Sequence, residues 1–255
     1  MNKTCLIYCH CGAGLFTGEE LQKLEQALKR YQIDVFELHD LCALSLNEKE
    51  FLNAVGKDYD RKIVIACFPR AIKNMLEQNS IEFGEYEVLN FREASVDAIT
   101  EKLDNQFKIP AGVASYEVKK SSLKVPGWYP VIDHSLCTLC GQCSRFCLFG
   151  VYEFDKKSLK VVNPLECKDN CPACGRTCPV NAIIFPRLAE SSVLSGADPN
   201  EPVTFKPVAG GGLLGQLNER NRNRKNIFRQ GLMVKAEEER RKALADLKMG
   251  LKKKS

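Results

Sequence analysis

Residues 137–147 read Cys-Thr-Leu-Cys-Gly-Gln-Cys-Ser-Arg-Phe-Cys, and residues 167–179 read Cys-Lys-Asp-Asn-Cys-Pro-Ala-Cys-Gly-Arg-Thr-Cys-Pro. The cysteine spacings are C-x2-C-x2-C-x3-C in the first stretch and C-x3-C-x2-C-x3-C-P in the second. Three closely spaced thiolates can hold one face of a [4Fe–4S] cube, while the fourth cysteine of each stretch reaches the other cube. The two stretches therefore predict two neighbouring metal sites in one small domain.

Crossed ligation divides the eight cysteines into two sets, and we expect the fourth cysteine of each stretch to start a short helix. The first set is Cys137, Cys140, Cys143 and Cys178, and the second is Cys147, Cys167, Cys171 and Cys174. Zinc is the alternative, because cysteines two residues apart also form zinc ribbons. The repeated x3 spacing and the final Cys-Pro favour iron–sulfur clusters.

The residues around these stretches predict short strands. Tyr129 to Ile132 and Ala182 to Phe185 are strand-like, and Val151 to Phe154 with Lys160 to Val162 predicts a hairpin. Residues 127–187 resemble the bacterial two-[4Fe–4S] ferredoxin domain, which implies an α+β fold and electron transfer. The sequence departs from that pattern by one extra residue after Cys167, which widens a loop at the second set.

The composition of the whole chain favours metal binding over disulfides. The chain has 255 residues and 13 cysteines, and an odd number leaves one thiol unpaired in any disulfide scheme. The apolar run from Leu6 to Tyr8 is too short for a signal sequence or a membrane span. We therefore expect a cytoplasmic protein in a reducing compartment, with no membrane span.

Residues 1–107 alternate strand and helix patterns, which predicts a small open parallel sheet with flanking helices. The strand candidates are Thr4 to Tyr8, Ile33 to Leu38, Lys62 to Ala66 and Tyr86 to Phe91. The helix candidates contain the apolar residues Leu21, Leu24, Leu28 and Tyr31, then Phe51 and Leu52, then Ile72, Met75 and Leu76, and last Val96, Ile99 and Leu103. Thr17 with Glu20, and Asn47 with Glu50, fit the capping-box pattern at helix N-termini.

Four further cysteines lie where strands of this sheet end. Cys9 and Cys11 follow the first strand, Cys42 follows the second and Cys67 follows the third. Because ligands bind beyond the carboxyl ends of parallel strands, we expect these thiols to converge on a third cluster. The alternative is a set of buried apolar thiols, which is also how we interpret Cys5. We assign no role to the three histidines, His10, His39 and His134.

The same segments resemble the N-terminal domain in the A subunit of heterodisulfide reductase. The matching residues are Cys9-His10-Cys11-Gly12, Leu41-Cys42, Ala66-Cys67-Phe68-Pro69-Arg70 and Asn90-Phe91-Arg92-Glu93. This resemblance implies a [4Fe–4S] cluster at the four cysteines, with Arg70 and Arg92 near it as cofactor-binding residues. Phe68 stands where that family usually has serine, and the flavin domain of that family is absent from this sequence.

A dinucleotide site is the competing interpretation of the same turn. Gly12, Gly14 and Gly18 follow the first strand, but their spacing is G-x-G-x3-G and two cysteines crowd the turn.

Two breaker-rich stretches predict linkers at residues 108–126 and 188–212, followed by a basic helical tail over residues 213–255. Residues 216–255 carry 13 Lys or Arg against 5 Asp or Glu, while the whole chain has a net charge of +5. The tail could dock on a partner subunit, lie on an anionic membrane or be a solvated charged helix. Nucleic acid is not an expected partner, because the tail has one aromatic residue, Phe228.

We therefore expect an electron carrier that relays single electrons through two ferredoxin clusters and a third N-terminal cluster, and not an enzyme. The expected partners are oxidoreductase or flavoprotein subunits of a larger redox complex in an anaerobic organism. The alternatives are an enzyme subunit whose N-terminal domain binds flavin or a thiol/disulfide substrate, and a redox sensor.

Overall fold

A computed structural model describes residues 3–199 and 230–249. Its N-terminal part is a five-stranded, entirely parallel sheet with the strand order β4-β3-β1-β2-β5. The strands are β1 (Thr4–His10), β2 (Asp34–His39), β3 (Arg61–Ala66), β4 (Glu85–Asn90) and β5 (Ser115–Lys120). The predicted parallel sheet with flanking helices is therefore confirmed.

Five helices connect and cover these strands. They are α1 (Gly18–Leu28), α2 (Leu41–Asn47), α3 (Lys49–Asp58), α4 (Pro69–Gln78) and α5 (Val96–Asn105). The capping box at α1 is confirmed, because the Glu20 amide donates to the Thr17 hydroxyl and the Thr17 amide donates to the Glu20 carboxylate. The box predicted at Asn47 is wrong. Asn47 is the last residue of α2, and its side chain hydrogen-bonds Ser122 at 2.6 Å instead.

The fifth strand lies inside the stretch that the sequence assigns to a linker. Residues 115–120 pair along the whole of β2, from Ser115 opposite Asp34 to Lys120 opposite His39. Since β5 is a mostly exposed edge strand with charged residues, it lacks the apolar alternation that identifies a strand in sequence. Residues 108–126 therefore extend the sheet and are not merely a connection.

The C-terminal part begins with β6 (Val131–Ile132), whose antiparallel partner is β9 (Ile183–Ile184). A hairpin of β7 (Tyr152–Phe154) and β8 (Leu159–Val161) lies between them in sequence. Both strand pairs lie where the sequence predicts them. Two short helices complete this part, α6 (Gln142–Phe146) and α7 (Ala173–Arg176).

The short helices do not start at the fourth cysteine of each stretch, contrary to the expectation from sequence. Cys143 and Cys174 lie inside α6 and α7, whereas Cys147 and Cys178 follow the ends of these helices. The third cysteine of each stretch is therefore the helical one. Cys147 has extended backbone torsion angles, so its chain turns away from α6.

The predicted tail contains one described helix, α8 (Gln230–Lys248), which packs against α7. Ala236 and Ala243 are its buried residues, and small side chains let the two helices approach closely. The rest of the predicted tail and residues 200–212 of the second predicted linker lie outside the described residues. No helix in the described part of the chain is both long enough and apolar enough to cross a bilayer.

The two parts share one continuous cluster of buried apolar side chains, in which Trp128 stacks on Phe185. Polar contacts accompany it. The buried Tyr129 hydroxyl hydrogen-bonds Ser45 and donates to the Cys42 carbonyl oxygen. Because the core is continuous, the division into domains at residues 107 and 127 stays a prediction.

Arg70 on α4 forms a buried ion pair between the two parts. Its Nε donates to Asp133 Oδ2 at 2.7 Å, and its other guanidinium nitrogens donate to the carbonyl oxygens of Asn181 and Val193. The side chains of Arg70 and Asp133 are only 13% and 7% exposed. A buried ion pair of this kind leaves an uncompensated charge when one partner is removed.

We predict that Arg70→Ala destabilises the protein by about 3–5 kcal/mol, because it leaves Asp133 buried without its cation. For a chain of this size that corresponds to a thermal midpoint lower by roughly 6–20 °C, measured by circular dichroism under anaerobic conditions. Lys73→Ala is the matched control, since Lys73 lies on the same helix but is 64% exposed beside Glu77. Equal midpoints for the two variants would contradict this role of Arg70.

Candidate metal centres

The first set of cysteines lines one cavity. Cys137 and Cys140 lie in the loop before α6, Cys143 lies in α6, and Cys178 follows α7. Leu159, Val180, Ala182 and Ile183 provide apolar walls. The structure therefore brings together the four residues that the spacing predicts for the first site, including the one distant in sequence.

The second set lines a separate cavity. Its cysteines are Cys147, Cys167, Cys171 and Cys174, and Phe146, Leu148 and Phe149 contribute apolar surface. The extra residue after Cys167 does not remove Cys167 from this cavity. The fourth cysteine of each stretch thus faces the cavity of the other stretch, which is the crossed arrangement.

The sulfur spacing indicates what kind of group these cavities fit. Four sulfurs bound to a single zinc ion at about 2.3 Å would lie about 3.8 Å from one another. Among residues 3–199 and 230–249, no three cysteine sulfurs lie within 4.8 Å of one another. The thiols of either set are therefore not gathered at the spacing that four ligands of one zinc ion would have.

The chemistry of the thiols also fits metal binding. The pKa of Cys143 is raised to about 12, chiefly by burial and to a smaller extent by the neighbouring thiols of Cys178, Cys137 and Cys140. Burial likewise raises the pKa of Cys174 well above its usual value. A thiolate forms in such a place only when a bound metal replaces the proton.

Hydrogen-bond donors to sulfur are already present at both sets. The backbone N–H of Ala182 donates to Cys178 Sγ at 3.2 Å, and the Tyr152 hydroxyl lies 3.1 Å from Cys174 Sγ. Hydrogen bonds to ligand sulfurs are one of the factors that set the reduction potential of a cluster. The two sets have different donors, so their potentials need not be equal.

Helix α8 covers the second cavity, a feature that the sequence does not predict. Arg240 lines this cavity, its guanidinium lies 4.7 Å from the centre of the Phe146 ring, and its Nε is buried without a partner. Three ion pairs hold the helix there: Glu239 with the buried Arg176 at 2.8 Å, Asp246 with Lys168 at 3.3 Å, and Lys235 with Glu190 at 3.2 Å. A positive charge therefore stands beside the second set.

We predict that Arg240→Gln lowers the reduction potential of the second site, because a nearby cation favours the more negative, reduced state. For a half-buried charge the shift is on the order of 50–100 mV, measured by redox titration followed by electron paramagnetic resonance. Arg241→Gln removes the same charge from an exposed position on the same helix and serves as control. A shift of equal size in both variants would contradict a local effect of Arg240.

The four N-terminal cysteines also converge. Cys9 is in β1, Cys42 is in α2, and Cys67 directly follows β3, all three buried, while Cys11 is half-buried. Burial raises the pKa of Cys67 to about 12 and that of Cys9 and Cys42 well above the usual value. Mutual repulsion among the four thiols adds to these pKa shifts, so they share one environment at the carboxyl edge of the sheet.

Donors and cations surround this group. The backbone N–H groups of Leu41 and Phe68 act to lower the pKa of the Cys9 and Cys67 thiols, against the larger effect of burial. Arg92 acts electrostatically on Cys67 and Cys11, and its guanidinium lies 5.2 Å from the Phe68 ring centre. The group therefore has the donors and positive charge that an anionic cluster needs.

Arg70, the other arginine assigned to this site from the sequence, is used differently. Its guanidinium nitrogens bond Asp133, Asn181 and Val193, as described above. Arg187 stands beside the thiols in its place. It acts electrostatically on Cys9 and Cys11 and forms an ion pair with Asp40. No local pattern identifies Arg187, because it reaches the site from the C-terminal part of the chain.

The glycine-rich turn after β1 has a packing explanation. A Cβ atom on Gly12 would lie 2.9 Å from both Arg187 Nη1 and Asp40 Oδ2, so a larger residue would displace the ends of these two side chains. Gly14 has a φ of +64° and donates to the Cys11 carbonyl oxygen. The turn thus accommodates the Arg187–Asp40 ion pair, which weakens the dinucleotide interpretation.

Two crossed sets of four cysteines on short helices and paired strands define a dicluster iron–sulfur domain. Comparison with known proteins agrees, since residues 129–201 match the 4Fe-4S dicluster domain family. An uncharacterized ferredoxin of Methanocaldococcus jannaschii is 33% identical over 116 residues, which cover 45% of this chain and 79% of that protein. No solved structure gives a significant match. The chain belongs to the ferredoxin family; it carries two [4Fe–4S] clusters and has a role in electron transfer.

Proposed function

We propose that the chain is a three-centre electron carrier, in which Cys9, Cys11, Cys42 and Cys67 hold a third [4Fe–4S] cluster. The observation that carries this proposal is the convergence of four thiols at one sheet edge beside Arg92 and Arg187. The resemblance of these segments to the N-terminal domain in the A subunit of heterodisulfide reductase supports it. Bound clusters supply the one-electron chemistry, and the chain supplies ligation, orientation and electrostatics.

The burial of the thiols favours ligation over the alternatives. A nucleophilic or redox-sensing cysteine is typically accessible and has a lowered pKa. Cys9, Cys42 and Cys67 are at most 7% exposed, and burial raises the pKa of each. Reversible attack on a disulfide substrate would be slow from such thiols, whereas metal binding removes their protons directly.

The exposure of the ligands suggests where a redox partner docks. Cys140 of the first set is the one exposed cysteine among the thirteen, while α8 covers the cavity of the second set. We therefore place the exchange of electrons with outside proteins at the first set. The proposed partners are oxidoreductase or flavoprotein subunits of a cytoplasmic redox complex in an anaerobic organism.

The basic residues near this exchange face favour an acidic partner. Lys157 and Lys160 of the hairpin, together with His134, line a groove beside Cys137 of the first set. Complementary charge accelerates the encounter of two proteins and orients it. The tail, in contrast, uses one face of α8 to contact its own chain, so docking through the tail would require another surface of that helix.

The experiment that tests the third centre is a count of iron and acid-labile sulfide per chain after strictly anaerobic purification. We predict about twelve iron atoms in the intact protein and about eight in a Cys9→Ser, Cys11→Ser double variant. Cys5→Ala is the matched control, because Cys5 is a buried thiol in the interior of β1, and it should keep the full iron content of the intact protein. An iron content that is the same in all three proteins, at two clusters per chain, would refute the third cluster.

A further inference from the structure

A second kind of ligand group lies on the sheet outside the cysteine sets. His10 ends β1 and pairs directly with His39 at the end of β2, and Glu37 lies two residues before His39. Because side chains alternate along a strand, these three side chains lie on one face, opposite to that of Cys9. The group is therefore distinct from the thiols of the proposed third centre.

The three side chains converge on one carboxylate oxygen. Glu37 Oε1 lies 2.6 Å from His39 Nε2 and 3.5 Å from His10 Nδ1. All three ligand atoms lie within 4.8 Å of one another. Nitrogen and oxygen ligands at about 2.0–2.2 Å from one tetrahedral zinc ion lie about 3.3–3.6 Å apart. Small side-chain rotations would therefore open this group around a metal ion.

The surroundings hold the ligands in place and leave a position open. The Tyr116 hydroxyl of β5 donates to Glu37 Oε2 at 2.7 Å, and such partners orient ligands in metal sites. The Glu37 side chain is only 8% exposed, whereas those of His10 and His39 are 33% and 31% exposed. Solvent can thus reach the imidazoles and supply a further ligand.

We propose that His10, Glu37 and His39 form a binding site for one divalent transition-metal ion. Two neutral imidazoles and one carboxylate form the ligand set of open zinc sites and of non-haem ferrous sites. When His39 binds the metal through Nε2, its single ring proton lies on Nδ1, so the imidazole stays a neutral ligand and Glu37 Oε1 turns from His39 to the metal. The three ligands come from β1 and β2 and include none of the cysteines, so the site does not rest on the third cluster.

Zinc is the probe for the test, added to cluster-loaded, anaerobically purified protein and measured by equilibrium dialysis with elemental analysis. We expect about one zinc ion per chain, bound at least roughly tenfold more weakly by Glu37→Gln and by His39→Ala. Tyr116→Phe should weaken binding by about 10-fold to 100-fold through loss of the orienting hydrogen bond. His134→Ala, which removes an exposed histidine elsewhere, is the matched control and should bind as the intact protein does.

X-ray absorption at the zinc edge tests the site without any substitution. We expect nitrogen and oxygen neighbours at about 2.0–2.1 Å, and a sulfur shell at about 2.3 Å would overturn the proposal. Unchanged zinc affinity in both Glu37→Gln and His39→Ala would overturn it as well. The iron content of the same samples tests the three-centre proposal separately. We expect zinc binding and iron content to vary independently, so a failure of one proposal can be distinguished from a failure of the other.

Discussion

The buried ion pair between Arg187 and Asp40 joins the C-terminal part of the chain to the carboxyl edge of the parallel sheet. It lies over Gly12 and brings a positive charge to Cys9 and Cys11. Without it, Arg92 would be the remaining cation that compensates negative charge on the thiols at that edge. The contact therefore contributes both to the position of the dicluster part, together with the Arg70–Asp133 ion pair and the shared apolar core, and to the electrostatics of the N-terminal thiols.

Each group of buried thiols is matched by positive charge or hydrogen-bond donors from elsewhere in the chain. Arg92 and Arg187 serve the N-terminal group, and Arg240 of α8 serves the second ferredoxin set. Burying an anionic centre is costly unless such groups compensate it. The same groups influence which centre is reduced first, since charge and hydrogen bonding set cluster potentials.

The ferredoxin sets could be predicted from sequence because their chemistry is local. Spacings of two and three residues determine which thiols can share a cube. Cys9, Cys42 and Cys67 are distant in sequence, but each lies where a predicted parallel strand ends, and these ends meet at one edge of the sheet. The edge strand and the functional candidates outside the cysteine sets depend on tertiary contacts, which local sequence patterns do not predict. The edge strand β5 has little apolar alternation, and Arg187, Arg240 and the His10–Glu37–His39 group become functional candidates only through tertiary packing. Arg70 is the opposite case. Its segment resembles the matching segment of the heterodisulfide reductase family, which implied a role at the N-terminal cluster, but its guanidinium is hydrogen-bonded to Asp133.

A chain with three redox centres should accept one electron at each of them. Double integration of the electron paramagnetic resonance spectrum after complete reduction counts these electrons, with full bleaching of the visible absorbance as the criterion for completeness. We predict about three unpaired spins per chain, with line shapes broadened by interaction between neighbouring centres. A spin count of about two at complete bleaching would contradict the third centre and leave a two-cluster ferredoxin with a thiol-bearing α/β domain.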